Sequence, residues 1–222
     1  MSSEAETVQR IRVTYGVNGP LKYVAVLDMM HIWGRLLRRA EVPIAYSQGF
    51  HPQPKLQIAA PLPVGYSSEY ELIDVFLTQK QELPDIYRAT KAQTPRGLEI
   101  LDTENIPLSA PAAQATMREA IYRVRIWTDK KTAVLKQRIQ SLLSKTEIIR
   151  QRSKKDEIVE YDLRPLVHNI EYNHTKEGYH QLRVRVRCSP RGAGRPEEIV
   201  DELDLDPPHY TIHRIHLIQE QE

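Results

Sequence analysis

This chain of 222 residues carries one cysteine, Cys188, so no internal disulfide can stabilise it and it must rely on a buried apolar core. Its 31 Lys/Arg nearly balance its 29 Asp/Glu, a formal net charge of +2, which excludes a uniformly charged polyelectrolyte. The apolar runs are shorter than a membrane span. Met1-Ser-Ser-Glu-Ala-Glu6 lacks the basic-then-apolar opening of a secretory signal, and a cytoplasmic protein is expected.

In chain order, Gln9–Val17 alternates, with Ile11, Val13 and Tyr15 on one side and Arg10, Arg12 and Thr14 on the other. That predicts a strand with one buried face. Asn18-Gly-Pro20 reads as a turn. Leu21–Ala40 has helical period, with an apolar stripe through Val26/Leu27, Met30, Trp33 and Leu37. Its polar side carries Asp28, His31, Arg35 and Arg38/Arg39, and Pro43 marks its end. A Pro- and Gly-rich loop spans Tyr46 to Lys55. Leu56–Ala60 and Glu69–Leu77 read as strands, Pro84–Lys91 as a short helix and Gly97–Leu101 as a closing strand. The order β-α-β-β-α-β is that of a ferredoxin-like unit.

Ile106–Gln114 reads as a linker, after which the element order recurs. Ala120–Trp127 alternates as a strand. Lys131–Leu143 is helical, with Val134, Ile139, Leu142 and Leu143 as its apolar positions. Glu147–Arg152 is a short strand, with an insertion near 153–175. Tyr179–Cys188 is a strand, Arg195–Leu203 a helix opened by Pro196, and Tyr210–Ile218 the last strand. The expected architecture is therefore α+β: tandem ferredoxin-like domains with antiparallel sheets. The first covers residues 1–105, a linker 106–117 and the second 118–222.

Charge is segregated along this plan. Residues 1–117 hold 11 Lys/Arg and 12 Asp/Glu, a net of −1. Residues 118–195 hold 19 against 9, a net of +10, and residues 196–222 hold one against eight, a net of −7. A basic middle points to one positive face and a polyanionic partner, or to an ordinary solvated surface.

Leu182-Arg-Val-Arg-Val-Arg-Cys188 carries the most information. Period two places Leu182, Val184, Val186 and Cys188 on one face, and Arg183, Arg185 and Arg187 on the other, roughly 7 Å apart. Arg123/Arg125 and Arg150/Arg152 repeat the alternation. If these strands share a sheet, they make an arginine face, and arginine suits RNA because its planar fork binds two phosphate oxygens and stacks on bases. The alternative is a solvent face of Arg–Glu pairs. Ser189-Pro-Arg-Gly-Ala-Gly-Arg-Pro196, with Arg191 and Arg195 ahead of a helix, offers an anion site or a plain connection. No metal-ligand spacing occurs among the histidines, and Cys188 is expected in the core. His31 is the one candidate acid or base.

Asp28-Met-Met, Arg35-Leu-Leu-Arg-Arg-Ala40, Ala45-Tyr-Ser-Gln-Gly-Phe-His-Pro-Gln-Pro-Lys55, Ala60-Pro-Leu-Pro-Val-Gly65 and Ser68-Glu-Tyr70 resemble an uncharacterised bacterial family, the radical-SAM-linked proteins. Tyr161-Asp-Leu-Arg-Pro165 and Gly194-Arg-Pro196 agree more loosely. The family's Ser-His pair before the helix aspartate is Ala25-Val26 here, and its Arg after the following triplet is His31. The resemblance implies a radical SAM partner protein. It also implies genes close to those of ribonuclease E/G and ribosomal proteins, hence ribosomal or transfer RNA. The expected role is a non-catalytic RNA-binding accessory that presents RNA to that enzyme. The iron–sulfur cluster and S-adenosylmethionine would belong to the partner, with no cofactor or metal in this chain.

Arg123, Arg125, Arg150, Arg152, Arg183, Arg185, Arg187, Arg191 and Arg195 are the expected RNA contacts. Tyr46, Gln48, Phe50, His51 and Lys55 form a loop site that holds a base, docks a protein or only packs, and Arg35, Arg38 and Arg39 form a helix site. Two rival readings stand. One is a metal-independent endoribonuclease similar to CRISPR repeat-processing enzymes, built on His31 and Gly192–Gly194. The other is a protein-interaction scaffold without RNA contact.

Overall fold

The computed structural model describes residues 6–154, 157–176, 178–205 and 209–220. The fold is α+β with mostly antiparallel strands and few helices. The chain divides into two compact units, Met1–Met117 and Arg118–Glu222.

In the first unit, β1 (Gln9–Val17), α1 (Val26–Arg39), β2 (Leu56–Ile58), β3 (Ser67–Leu77), α2 (Leu83–Ala92) and β4 (Leu98–Ile106) follow in order. A one-turn helix, α3 (Ala113–Thr116), lies in the segment expected to be a linker. The strands lie in the order β4-β1-β3-β2, and each neighbouring pair is antiparallel. One face of β1 buries Ile11, Val13 and Tyr15 against Trp33, Leu36 and Leu37 of α1. The Trp33 ring meets Tyr15 edge-on, with centroids 5.0 Å apart, a geometry that favours ring quadrupoles.

α1 begins five residues later than its period predicts. Gly19–Tyr23 forms a separate 3-10 turn with Pro20 in its first turn, and extended Val24 and Ala25 interrupt the run. The buried stripe is accordingly Met29, Trp33, Leu36 and Leu37, while Leu27 is exposed.

The expectation of a solvent-facing side on β1 is overturned. Arg10 and Arg12 are buried around Asp74 of β3, which is fully buried. Arg10 donates through Nη2 to Asp74 Oδ2 at 2.6 Å, and Arg12 through Nε to Oδ1 at 2.8 Å. Arg10 also donates to the carbonyls of Ala110 and Pro111 at 2.7 and 2.8 Å, so the chain after β4 covers this face. Alternation locates two faces of a strand, but not what later covers the polar one.

In the second unit, the elements are β5 (Met117–Trp127), α4 (Thr132–Ser144), β6 (Ile149–Lys154), β7 (Glu157–Asp162), β8 (Val167–Lys176), β9 (Tyr179–Ser189), β10 (Gly192–Ala193), α5 (Pro196–Glu202) and β11 (His209–Gln219). β5 lies between β9 and β11, and β8 flanks β9, antiparallel to it. Of the insertion expected near 153–175, residues 155 and 156 lie outside the described residues. The rest is the hairpin β6–β7 and the start of β8.

Ala120, Tyr122, Val124 and Ile126 of β5 and Leu182, Val184 and Val186 of β9 are buried on one face. On α4 the buried residues are Leu135, Ile139 and Leu142, with Leu135 taking the place expected for Val134. Cys188, expected in the core, is only half-buried, because β9 ends one residue later.

Candidate functional site

β5 and β9 run antiparallel without a bulge from Glu119 opposite Arg187 to Trp127 opposite Tyr179. Unbroken register keeps the parity of both strands, so Glu119, Ile121, Arg123, Arg125 and Trp127 share a face with Tyr179, Gln181, Arg183, Arg185 and Arg187. Arg123 stands directly opposite Arg183, and Arg125 opposite Gln181. β8 adds Glu171 opposite Arg183 and Asn169 opposite Arg185. Arg125, Arg183, Arg185 and Arg187 are exposed and Arg123 is half-buried. Five of the expected arginines are thereby brought together on the face opposite the core.

Like charges directly opposite each other on a sheet are unfavourable, and only part of this repulsion is compensated. Glu119 accepts from Arg185 Nε, and this carboxylate raises the Arg185 pKa above its usual value. His168 Nε2 lies 4.0 Å from the same carboxylate. Arg125 leans over Tyr179, its guanidinium carbon 5.4 Å from the ring centroid. Among the described residues, no ion pair engages Arg183 or Arg187. Ile121, Asn169, Glu171, Arg183 and Arg185 line a depression of about 270 Å3. Its lining is mostly polar, with two guanidinium groups and an amide beside the Glu171 carboxylate and the Ile121 side chain.

Arg150 and Arg152 do not join this face. They sit on the separate hairpin β6–β7 and turn to the acids of α5. Arg150 pairs with Asp201 at 2.9 Å and with Glu202 at 3.0 Å. Arg152 lies 3.7 Å from Glu198 and over the Tyr161 ring, 4.5 Å from its centroid. Sequence alternation could not show that the strand after α4 leaves the sheet.

The Gly-rich segment before α5 is a tight, closely packed turn. Gly192 and Ala193 return antiparallel on Ser189 and Cys188 as a tight hairpin. A Cβ at Gly194 would sit 2.9 Å from the Leu166 carbonyl oxygen and 3.0 Å from Val186 Cβ. The absence of a Cβ at Gly194 allows this close packing. Arg191 and Arg195 are exposed on either side of it, and α5 has only seven residues.

In the first unit, the 46–55 loop is a closed finger. Tyr46 bridges Pro54, the Ser47 amide donates to the Gln53 carbonyl at 2.7 Å, and the Gln53 amide donates to Ser47 Oγ at 2.9 Å. Gln48, Phe50 and His51 are exposed at its tip, with Phe50 wholly in solvent, and Lys55 is exposed at its base. Pro54 rests on α1 at Gly34, where a Cβ would come within 3.1 Å of its ring. The finger thus lies beside the exposed helix positions His31, Arg35 and Arg38, which are spaced to share one side.

Arg39 is occupied structurally, donating to the Gln93 carbonyl at 2.7 Å, and Arg38 donates to the Gly34 carbonyl at 3.2 Å. His31 has Asp28 at 3.9 Å, both largely exposed. His31 belongs to the first unit and Gly192–Gly194 to the second. Among the described residues, no group of three or more His, Cys, Asp or Glu side chains could hold a metal ion, and no helix is long and apolar enough to cross a membrane.

A model of uncharacterised proteins conserved in bacteria, DUF2344, matches residues 10–196. The chain belongs to that family. The match takes in the 46–55 finger and the paired strands β5 and β9. No curated protein matches the sequence. Among solved structures, a chain of a Cbf5–Nop10–Gar1 complex is similar at 14% identity and TM-score 0.49, over 94% of this chain and 50% of that one. A chain of an archaeal box H/ACA sRNP Nop10–Cbf5 complex is similar at 11% and 0.49, over 94% and 48%. A chain of an H/ACA RNP bound to a substrate RNA containing 2'-deoxyuridine is similar at 13% and 0.46, over 91% and 47%. This chain therefore spans about half the length of those chains.

Sequence reasoning missed three ring-bearing residues on the arginine face. Trp127 and Tyr179 pair across β5 and β9, centroids 5.3 Å apart, and His209 at the start of β11 lies 5.0 Å from Trp127. The signal was present in the parity: Trp127 is two residues beyond Arg125, and Tyr179 four before Arg183. His209 had none, since only strand order brings it there.

Proposed function

We propose that this protein is a non-catalytic RNA-binding accessory, and that Arg123, Arg125, Arg183, Arg185 and Arg187 hold the RNA backbone. The observation that carries the proposal is the exposed arginine ladder on β5 and β9, opposite the apolar face of the same strands. Guanidinium groups at every second residue suit a phosphate chain laid along the strand. Each unit is read as ferredoxin-like, a reading supported by the order β4-β1-β3-β2 in the first and β11-β5-β9-β8 in the second. In such a unit the helix-free face of the sheet is open to a ligand.

The partner in this reading is a cytoplasmic radical SAM enzyme that modifies ribosomal or transfer RNA. That enzyme would carry the iron–sulfur cluster and the S-adenosylmethionine. The finger at Tyr46–Lys55, with Phe50 in solvent, is the surface proposed to dock it.

Salt-titrated binding to bulk ribosomal and transfer RNA tests the first part. Affinity falling steeply as salt rises is expected, and no binding at low salt would overturn the proposal and leave a protein scaffold. Incubation with the same RNA in EDTA tests the non-catalytic assignment: intact RNA is expected, and cleavage lost in His31→Ala would establish the endoribonuclease instead. Capture from native lysate, with Phe50→Ser as control, tests the partner.

A further inference from the structure

We infer that the arginine face takes single-stranded RNA and that Trp127, Tyr179 and His209 form its base-stacking shelf. The inference rests on the RNA-binding reading above and names the substrate class of that site. The three rings occupy one end of the same face, on three adjacent strands β9, β5 and β11. Trp127 and Tyr179 are tilted by 48°, and Trp127 and His209 by 44°. Rings so tilted do not close fully on one another, and each keeps part of its face for a further partner. His209 is exposed, and Trp127 and Tyr179 are half-buried, whereas Ala120, Tyr122, Val124 and Ile126 on the opposite face are sealed.

Cross-strand packing alone would account for a Trp–Tyr pair. It does not account for its position at the head of an arginine ladder, with Arg125 already stacked on Tyr179 at 5.4 Å. A base laid on the shelf would meet Arg125 one strand repeat away, roughly 7 Å, then Arg123 and Arg183 at the next. Rings for bases and guanidinium groups for phosphates in register is the combination that binds single strands without reading sequence. Duplex RNA offers phosphates but no free base face, so it can use the ladder and not the shelf.

The chain has only two tryptophans, and Trp33 is fully buried in the first unit. Trp127 emission therefore reports on the shelf. The experiment titrates the whole protein with a 12-nucleotide adenylate RNA and with a 12-base-pair RNA duplex, reading tryptophan emission and filter binding together. The single strand is expected to quench Trp127 and to bind more tightly than the duplex. Trp127→Ala should lose roughly 5- to 150-fold in single-strand affinity with duplex affinity unchanged, while Trp127→Phe keeps affinity and loses the signal.

Equal affinity for the two RNAs, or salt-dependent binding without quenching, would overturn the shelf and leave the RNA-binding reading standing. No binding of either RNA at low salt would overturn both. Should Trp127→Ala fail to fold, Tyr179→Ala and His209→Ala carry the same comparison.

Discussion

Arg183 is the residue at which binding and stability separate most cleanly. It is exposed and stands between Arg123 on β5 and Glu171 on β8. Arg183→Gln keeps a polar side chain but shortens it and deletes its charge. One phosphate contact on a single strand contributes about 0.7 to the slope of log affinity against log salt. Its loss should weaken binding about fivefold at 0.1 M salt and about fifteenfold at 0.02 M. On the sheet, the deletion removes repulsion from Arg123 and attraction to Glu171, each about 0.2–1 kcal/mol and opposite in sign. The urea midpoint should therefore stay where it is. Fluorescence-polarisation titrations at four salt concentrations, with urea unfolding alongside, measure both. A loss of equal size at every salt concentration would show that Arg183 shapes the sheet rather than holding phosphate, and no loss at all would remove it from the interface.

Four further outcomes follow from the same contacts. Glu119→Gln releases Arg185 from its carboxylate and should strengthen RNA binding several-fold at low salt, read by the same titration. Asp74→Asn leaves two buried guanidinium groups around a neutral amide, and should cost about 3–5 kcal/mol of stability by urea unfolding. Gly194→Ala forces a methyl against Leu166 and Val186 and should cost about 1–3 kcal/mol, with the affinity of the folded protein unchanged if the segment packs and does not bind. Burial, and donation to Glu198, raise the Tyr161 pKa above its usual 10.0. The folded chain keeps that proton longer than the unfolded one, so this stability is present below pH 10 and is lost as pH rises through the folded pKa. Melting temperatures from pH 9 upward should fall more steeply than in Tyr161→Phe.

Much of this was legible in residue order, and the misses share a cause. Gln9–Val17 is strand β1 as alternation predicts, and Leu182–Cys188 presents its arginines as parity requires. Parity is local, and it holds wherever a strand is regular. What it cannot show is the neighbour. Arg10 and Arg12 alternate just as Arg183 and Arg185 do, yet the first pair is buried on Asp74 and the second is exposed. The difference lies in Asp74, more than sixty residues away, and in the carbonyls of Ala110 and Pro111. Arg150 and Arg152 were misplaced for the same reason: their partners Glu198, Asp201 and Glu202 are about fifty residues on. The shelf escaped notice because Trp127, Tyr179 and His209 are joined only by strand order.

Those long-range partners also explain the charge segregation. The basic middle of the chain and its acidic end meet within the second unit. Glu202 takes Lys145 at 3.1 Å and Arg150, Asp201 takes Arg150, and Asp204 lies 3.3 Å from Arg138. The acids after residue 195 thus neutralise basic side chains of α4 and β6, leaving residues 118–222 at a net of only +3. On the ladder of β5 and β9, Glu119 takes Arg185, and among the described residues no ion pair engages Arg183 or Arg187. A net charge near zero with the surplus left on one face is how a small protein concentrates its field on a phosphate chain without binding polyanions everywhere. On this reasoning, adding acids to α5 should leave RNA affinity nearly unchanged, while adding one carboxylate opposite Arg125, as Gln181→Glu, should weaken it.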